Sequence, residues 1–156
     1  METVFIETTI VSYLVANRSR DLVVAAHQET TEEWWTEFRP RYRCVTSEEV
    51  LREASLGDTA MSRRRMDMLA GMPVLSVDVP TRELARELIR TGLLPREALS
   101  DALHVSVATR HAVDYLLTWN CRHLANPHLL KRLRAFMAAQ KLELPEICTP
   151  LELGGD

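Results

Sequence analysis

Residues 4–14 have the sequence Val4-Phe5-Ile6-Glu7-Thr8-Thr9-Ile10-Val11-Ser12-Tyr13-Leu14, and the change of pattern within them decides the fold prediction. Thr3 to Ile6 is a short apolar run, which is typical of a buried strand. Glu7, Thr8 and Thr9 end this run, and either threonine could cap a helix through Leu14 because a hydroxyl satisfies a free amide there. The stretch therefore predicts a strand, then an acidic residue, then a helix.

The same alternation recurs along the chain. Further strands are predicted at Arg43 to Thr46, Val74 to Val77, Tyr115 to Thr118 and Glu146 to Thr149. Helices are predicted at residues 22–38, 47–54 with Ser47 as cap, 59–69, 81–90, 100–108 and 129–139. Residues 100–108 are small or apolar on nearly every face, which indicates a buried helix. Short strands between helices predict an α/β fold, a three-layer sandwich with a mostly parallel central sheet.

Length and composition favour one globular domain. The chain has 156 residues, 46% of them hydrophobic, which suits a single core. We expect one domain over residues 1–152 and a frayed end over residues 153–156. The three cysteines, Cys44, Cys121 and Cys148, have no repeated spacing, so a disulfide framework is not expected.

Charge and the N-terminal sequence narrow the class of protein. The formal net charge of −3 does not suit a strongly basic nucleic-acid binder, but an enzyme can take positive charge from a bound metal ion. The start of the chain has no basic region followed by a long apolar segment, and no stretch of the length needed to cross a membrane occurs. We therefore expect a cytoplasmic protein without a membrane segment.

Acidic and polar residues cluster at the predicted ends of elements. Parallel sheets bind ligands beyond the carboxyl ends of their strands, where Glu7 and Asn120 are expected. Asp101 opens the buried helix beside Ser100, and Glu53 lies in the helix after the second strand. Magnesium and manganese prefer oxygen ligands and can activate water against a phosphodiester. These residues therefore predict a divalent-metal site.

Each of these residues also has a plainer interpretation. Glu7 could simply cap the next helix, Asp101 could be a first-turn acid, and Glu53 could be solvated. His104, one turn after Asp101, could hydrogen-bond a carboxylate or be satisfied within the core. Cys121 and the histidines lack the usual spacing of a zinc site.

Two further features allow two interpretations each. Trp119 could stack on a base of single-stranded RNA, although packing within the protein is the favoured interpretation. The basic run Arg63-Arg64-Arg65 could contact an RNA backbone or form a solvated helix face.

Four segments together resemble the motifs of the PIN-domain proteins, particularly the VapC-like toxins of toxin–antitoxin pairs. Residues 4–14 resemble the first motif, with its acid after strand one. Residues 47–53 resemble the second, whose acid lies six residues after a strand-ending serine, and this register selects Glu53 over Glu48 and Glu49. Residues 101–108 resemble the third motif, and residues 116–120 the fourth, in which a threonine precedes an Asp or Asn by two.

The resemblance implies a metal-dependent endoribonuclease with a PIN-like fold. Glu7, Glu53 and Asp101 would hold magnesium or manganese, and Asn120 would complete the catalytic set by orienting a water or a substrate phosphate. Supporting or substrate contacts are expected from Thr8, Ser100, His104, Thr118 and His123. The implied partners are an RNA substrate, a cognate antitoxin protein with an arginine that enters the acidic groove, and a second copy of the chain in a homodimer.

The sequence departs from the family pattern at three positions. Glu7 replaces the usual Asp, Asn120 is neutral, and His123 stands where many relatives have a further acid. These departures favour one metal ion over two. They also keep two alternatives open: a PIN fold that has lost catalysis and serves as a binding or dimerisation module, and a metal-dependent nuclease acting on another nucleic acid.

Overall fold

The computed structural model describes residues 1–155. Asp156, the last residue of the predicted frayed end, lies outside the described residues. Leu153 belongs to a short final helix, one residue beyond the predicted limit of the domain, and Gly154 and Gly155 follow it.

A five-stranded sheet forms the centre of the fold, and every strand pair in it is parallel. The strands are β1 (Thr3–Ile6), β2 (Arg43–Ser47), β3 (Val74–Leu75), β4 (Tyr115–Leu117) and β5 (Glu146–Cys148). Their spatial order is β3-β2-β1-β4-β5, so β1 is the central strand. The predicted α/β class with a mostly parallel sheet is confirmed.

Helices flank the sheet and connect its strands. They are α1 (Thr8–Val15), α2 (Leu22–Glu33), α3 (Glu48–Ala54), α4 (Thr59–Leu69), α5 (Val79–Arg90), α6 (Leu99–Arg110), α7 (Pro127–Ala139) and α8 (Pro150–Leu153). None of the helices within residues 1–155 has the length and apolar character needed to cross a membrane.

The observed helices differ from the sequence prediction at several boundaries; α5 and α7, for example, each begin two residues earlier than predicted. Glu7, and not Thr8 or Thr9, is the cap of α1, because its carboxylate reaches the backbone amide of Thr9. The regular part of α2 ends at Glu33, and residues 34–38 continue it as a wider π-helical turn. The helix α8 was not predicted, since it has only four residues. Ser47 caps α3 as predicted, by accepting from the Val50 amide.

The core lies around the central strand and the buried helix. Val4, Phe5 and Ile6 of β1 are fully buried, which is expected of a parallel strand covered on both sides. In α6, Ala102 and Ala108 are also fully buried. Small residues there let neighbouring elements approach the helix closely, and the prediction of a buried helix is confirmed.

The strand order reverses beside the central strand. The chain leaves β1 toward β2 on one side, while β4 pairs with β1 on the other side. Between β1 and β4 the strand order therefore reverses, and parallel sheets bind ligands at the carboxyl ends of strands on either side of such a reversal. Glu7 follows β1 at this point, and Thr118 follows β4.

We expect Leu116→Ala to lower the free energy of unfolding by about 2–5 kcal/mol, since the side chain is fully buried in β4 and its removal leaves a cavity. The matched control is Leu22→Ala, at a residue that is 86% exposed, which should change stability by less than about 0.5 kcal/mol. Urea denaturation followed by circular dichroism measures both. Equal losses in the two variants would contradict the assigned core.

Candidate active site

Glu7 lies at the end of the central strand with its carboxylate buried. Only 3% of the residue is exposed. The Oε2 atom accepts hydrogen bonds from the Thr9 backbone amide at 3.0 Å, from the Thr9 hydroxyl, and from the Thr118 hydroxyl at 2.8 Å. Burial raises the pKa of Glu7, although the charge of His104 and these hydrogen bonds act in the opposite direction. Glu7 thus caps α1, as its plainer interpretation predicted, and also presents its other oxygen, Oε1, toward His104.

Glu53 and His104 form a close pair beside Glu7. The Nε2 atom of His104 lies 2.6 Å from Oε1 of Glu53, and the Thr8 hydroxyl donates to the same oxygen at 2.6 Å. Burial acts to raise the pKa of Glu53, but the hydrogen bond and charge of His104 outweigh it and lower the pKa to about 2. Glu53 is therefore ionised at neutral pH.

His104 is fully buried and lies between two carboxylates. Its Nε2 atom is 3.9 Å from Oε1 of Glu7, in addition to its contact with Glu53. Burial acts to lower the pKa of His104, but Glu53, Glu7 and Asp101 together raise it. The other ring nitrogen, Nδ1, is buried and has no hydrogen-bond partner among residues 1–155. His104 is thus both a core histidine and a partner of the predicted acids.

Glu7, Glu53 and His104 each offer one donor atom to a common point. Their donor atoms all lie within 4.8 Å of one another, which is compact enough for a single cation. Two of these residues are the predicted metal ligands Glu7 and Glu53. The third donor of this group is His104, whereas the third predicted ligand, Asp101, contacts a different set of residues.

Asp101 is held by the loop that follows β4. Its Oδ1 accepts from the Asn120 side-chain amide at 3.0 Å, and its Oδ2 lies 3.2 Å from Nδ1 of His123. The Asn120 side-chain oxygen accepts from the His123 backbone amide at 3.0 Å. The neutral Asn120 therefore stabilises the Asp101 carboxylate, where a second acid would repel it.

Thr118 connects the two groups of residues. Its hydroxyl donates to Glu7 and accepts from the Asn120 backbone amide at 2.9 Å. Asp101 and His104 are also neighbours, because they lie one turn apart on α6. The predicted site residues therefore lie in one connected network at the carboxyl ends of β1 and β4.

Glu49 is a further acid of this region that the motif register passed over. Only 7% of it is exposed, and it accepts from Ser100 at 2.6 Å and from the Arg52 guanidinium. Burial acts to raise its pKa, but Arg52 and Ser100 lower it. The predicted supporting residue Ser100 therefore donates to Glu49, and its hydroxyl also lowers the pKa of Glu53. The four-residue spacing of Glu49 and Glu53 on one helix face was a signal for Glu49.

Trp119 is committed to packing. Its ring stacks on His27 at 4.1 Å between centroids and on Tyr13 at 5.9 Å, and 8% of the residue is exposed. Its indole nitrogen donates to Thr31, and its backbone amide donates to the hydroxyl of Thr9 at 2.8 Å. The prediction that Trp119 packs within the protein is thus confirmed, and its ring is not available to stack on a base. Thr9, which the sequence analysis did not select, connects Trp119 to Glu7.

Comparisons with known proteins identify the fold. No protein-family model matches the sequence, and no curated protein matches it. The structure is similar to that of Mycobacterium tuberculosis VapC20, a sarcin–ricin loop cleaving toxin, with a TM-score of 0.58 and 19% identity, covering 77% of this chain and 92% of that one. It is also similar to VapBC2 from Rickettsia felis bound to a DNA fragment from their promoter, with a TM-score of 0.53 and 15% identity, covering 94% and 98%. The predicted PIN-like fold of the VapC toxins is confirmed.

We expect Glu53→Gln to lower the free energy of unfolding of the metal-free protein most between about pH 4.5 and pH 6.5. These limits are the ordinary pKa values of a glutamate and a histidine side chain. Because the folded pKa of Glu53 is lowered to about 2, its stabilising effect is lost as the pH falls below 4.5 toward that value. Because the folded pKa of His104 is raised, its contribution is present below pH 6.5 and is lost as the pH rises through the folded value. Urea denaturation across pH in a chelating buffer measures the difference.

The control for this experiment is Glu83→Gln, at an exposed position of α5. It removes the same charge away from His104, so its effect on the free energy of unfolding should vary little over this pH range. A pH-independent difference between the protein and Glu53→Gln would contradict the His104–Glu53 ion pair.

Proposed function

We propose that this protein is a metal-dependent endoribonuclease and the toxin of a toxin–antitoxin pair. The observation that carries the proposal is the convergence of Glu7, Glu53 and His104 within 4.8 Å at the strand-order reversal of a VapC-like fold. Asp101, one helical turn before His104, adds a third carboxylate to the same edge. Carboxylates in this position suit phosphodiester hydrolysis assisted by a metal ion.

The donor set fits magnesium or manganese. Oε2 of Glu7 is engaged by three hydrogen bonds, which leaves Oε1 for a cation. Thr8 and His104 both hydrogen-bond to Oε1 of Glu53, which leaves Oε2 of Glu53 for the cation. Carboxylate oxygens are the ligands that these ions prefer, and few are needed because the ions retain waters. We therefore assign the metal to Glu7 and Glu53, with Asp101 contacting it directly or through water.

The protein residues have separate tasks in the proposed reaction, which is hydrolysis of an RNA phosphodiester without a covalent intermediate. The oxygen of water forms a bond to phosphorus, the bond from phosphorus to one ribose oxygen breaks, and that oxygen leaves with a proton. A bound ion would supply Lewis-acid activation of water and would neutralise charge on the phosphate. Thr9 and Thr118 hold Glu7 in place through hydrogen bonds to one oxygen. His104 and Thr8 do the same for Glu53. Each carboxylate is thus oriented before substrate arrives, which reduces the reorganisation that the reaction requires.

Asn120 and His123 orient Asp101 in this proposal. The Asn120 amide is itself fixed at both ends, by Asp101 and by the His123 backbone. Its second side-chain N–H can still donate to a water or a substrate phosphate. Asn120 therefore adds no charge to the site and supplies a donor to Asp101, which an ionised acid at this position would lack.

The proposed partners follow from the same site. A cognate antitoxin would neutralise the toxin with an arginine, since a guanidinium pairs with carboxylates in two parallel hydrogen bonds. The similar Rickettsia felis structure is of VapBC2 bound to promoter DNA. We also propose a homodimer and a cytoplasmic location, where RNA substrates occur. Size-exclusion chromatography with light scattering tests the dimer.

Manganese binding by calorimetry tests the metal site. We expect the protein to bind Mn²⁺ and Glu53→Gln to lose binding, because a ligand oxygen with a full charge is replaced by a neutral amide. Asp101→Asn should weaken binding by about 10–100-fold, the range for residues that support a metal ligand. Glu83→Gln, which removes an exposed carboxylate of α5, should bind like the unchanged protein.

RNA cleavage completes the test. We expect cleavage of one or more RNAs from a panel that includes the sarcin–ricin loop, with loss of activity in chelator and recovery on adding Mn²⁺. Glu53→Gln should be inactive and Glu83→Gln active. If the unchanged protein binds no manganese at millimolar concentration, the fold serves as a binding module instead. Cleavage of DNA alone would favour the alternative nuclease.

A further inference from the structure

A basic pocket opens where α5 ends and α6 begins. Its volume is about 510 Å³, and it is lined by Arg86, Ile89, Arg90, Arg96 and Leu99. The first three residues lie in the last turns of α5, and Arg96 lies in the short turn before α6. The two helices pack closely against each other, which positions these residues on a rigid support.

The pocket and the acidic site both include residues from the first turn of α6. Leu99 is the first residue of α6 and lines the pocket. The next residue, Ser100, donates to Glu49, and Asp101 contacts Asn120 and His123. The first turn of α6 therefore contributes Leu99 to the pocket and Ser100 and Asp101 to the acidic site.

The charges of the pocket are unusual for this protein. Three of its five lining residues are arginines and none is acidic, although the whole chain has a formal charge of −3. Arg90 pairs with Glu87 at 2.7 Å. Within residues 1–155, Arg86 and Arg96 have no hydrogen bond or ion pair, and both are exposed. Two guanidinium groups are thus free to bind an anion.

The apolar part of the pocket suits a nucleobase. Leu99 is 48% exposed and Ile89 is half-buried between the arginines. Bases of single-stranded RNA stack on apolar side chains and on guanidinium planes, while phosphates accept paired hydrogen bonds from arginine. An acidic peptide would use the arginines but not the apolar side chains of Ile89 and Leu99.

The basic run Arg63-Arg64-Arg65 of α4 is less suited to bind a nucleotide, because one of its three arginines is already committed within the protein. The guanidinium of Arg65 donates to the backbone oxygens of Ala54 at 3.0 Å and Leu56 at 2.5 Å, so it is used to fix the end of α3. Only Arg63 and Arg64 of the run are exposed.

We infer that the Arg86–Arg90–Arg96 pocket binds a nucleotide of the single-stranded RNA substrate. This inference rests on the proposed function, since it names how the same substrate is held. The arginines neutralise phosphates that the acidic site by itself repels. They act on substrate binding and do not touch the reacting atoms.

The test is RNA binding by the double variant Arg86→Gln/Arg96→Gln. The probe is a fluorescent oligouridine of about 20 nucleotides, longer than the roughly 4–16 nucleotides covered by one single-strand binding fold. Fluorescence anisotropy in chelator, where no metal-assisted cleavage occurs, gives the affinity across a salt series. We expect about tenfold weaker binding and a salt slope less steep by about 1.4, because two phosphate contacts of about 0.7 each are lost.

Arg63→Gln/Arg64→Gln is the matched control, with the same change in charge on α4. It should bind the oligouridine like the unchanged protein. Equal losses in both double variants would mean that only net charge matters, and an unchanged affinity of Arg86→Gln/Arg96→Gln would also overturn the inference. Conversion of a dimer to a monomer by this variant, seen by light scattering, would assign the pocket to a contact between copies and overturn it as well.

Cleavage kinetics separate this inference from the proposed function. For an RNA that the protein cleaves, we expect Arg86→Gln/Arg96→Gln to raise KM about tenfold with kcat unchanged, since binding is lost and the chemistry is not. If the unchanged protein cleaves RNA but the variant has the same KM, the inference fails alone. If the unchanged protein neither binds nor cleaves RNA, the proposed function fails and the inference with it.

Discussion

The carboxylate at the end of the central strand is buried, so its negative charge must be compensated by neighbouring groups. This constraint organises the site. Glu7 is 3% exposed because β1 has neighbours on both sides and α1 begins directly after it. A buried carboxylate is costly unless hydrogen bonds and nearby charge compensate it. Thr9 and Thr118 supply the hydrogen bonds, and His104 supplies the charge. Thr9, Thr118 and His104 therefore compensate the charge of the acid that ends the strand.

His104 connects the stability of the site to its chemistry. The imidazole lies between Glu7 and Glu53, so it balances charge that would otherwise be unpaired in the interior. The same two carboxylates are assigned to a cation in the proposed function, through Oε1 of Glu7 and the Glu53 oxygen that His104 does not contact. Because Asp101 is held separately by Asn120 and His123, the loss of an acid at position 120 does not disorganise the third carboxylate.

Binding and chemistry are assigned to different parts of the surface. The carboxylates suit a metal ion, but their charge repels an RNA backbone, and the net charge of −3 adds to this repulsion. The pocket of Arg86, Arg90 and Arg96 offers positive charge, and Arg86 and Arg96 pair with no acid among residues 1–155. Such a division explains how an acidic protein could bind a polyanion.

The sequence alone determined the α/β class, most element positions and the residues at the strand ends, since hydrophobic periodicity and capping act locally. Residues 4–14 and 100–108 were sufficient to predict the central strand and the buried helix, and the four motifs selected Glu7, Glu53 and Asp101. Only the tertiary structure decided which side chains meet: that His104 contacts Glu53, that Ser100 donates to Glu49, and that Trp119 stacks on His27. It also assembled the arginine pocket from two helices. These contacts join residues far apart in the chain, and their geometry depends on how helices pack on the sheet, which no local pattern specifies.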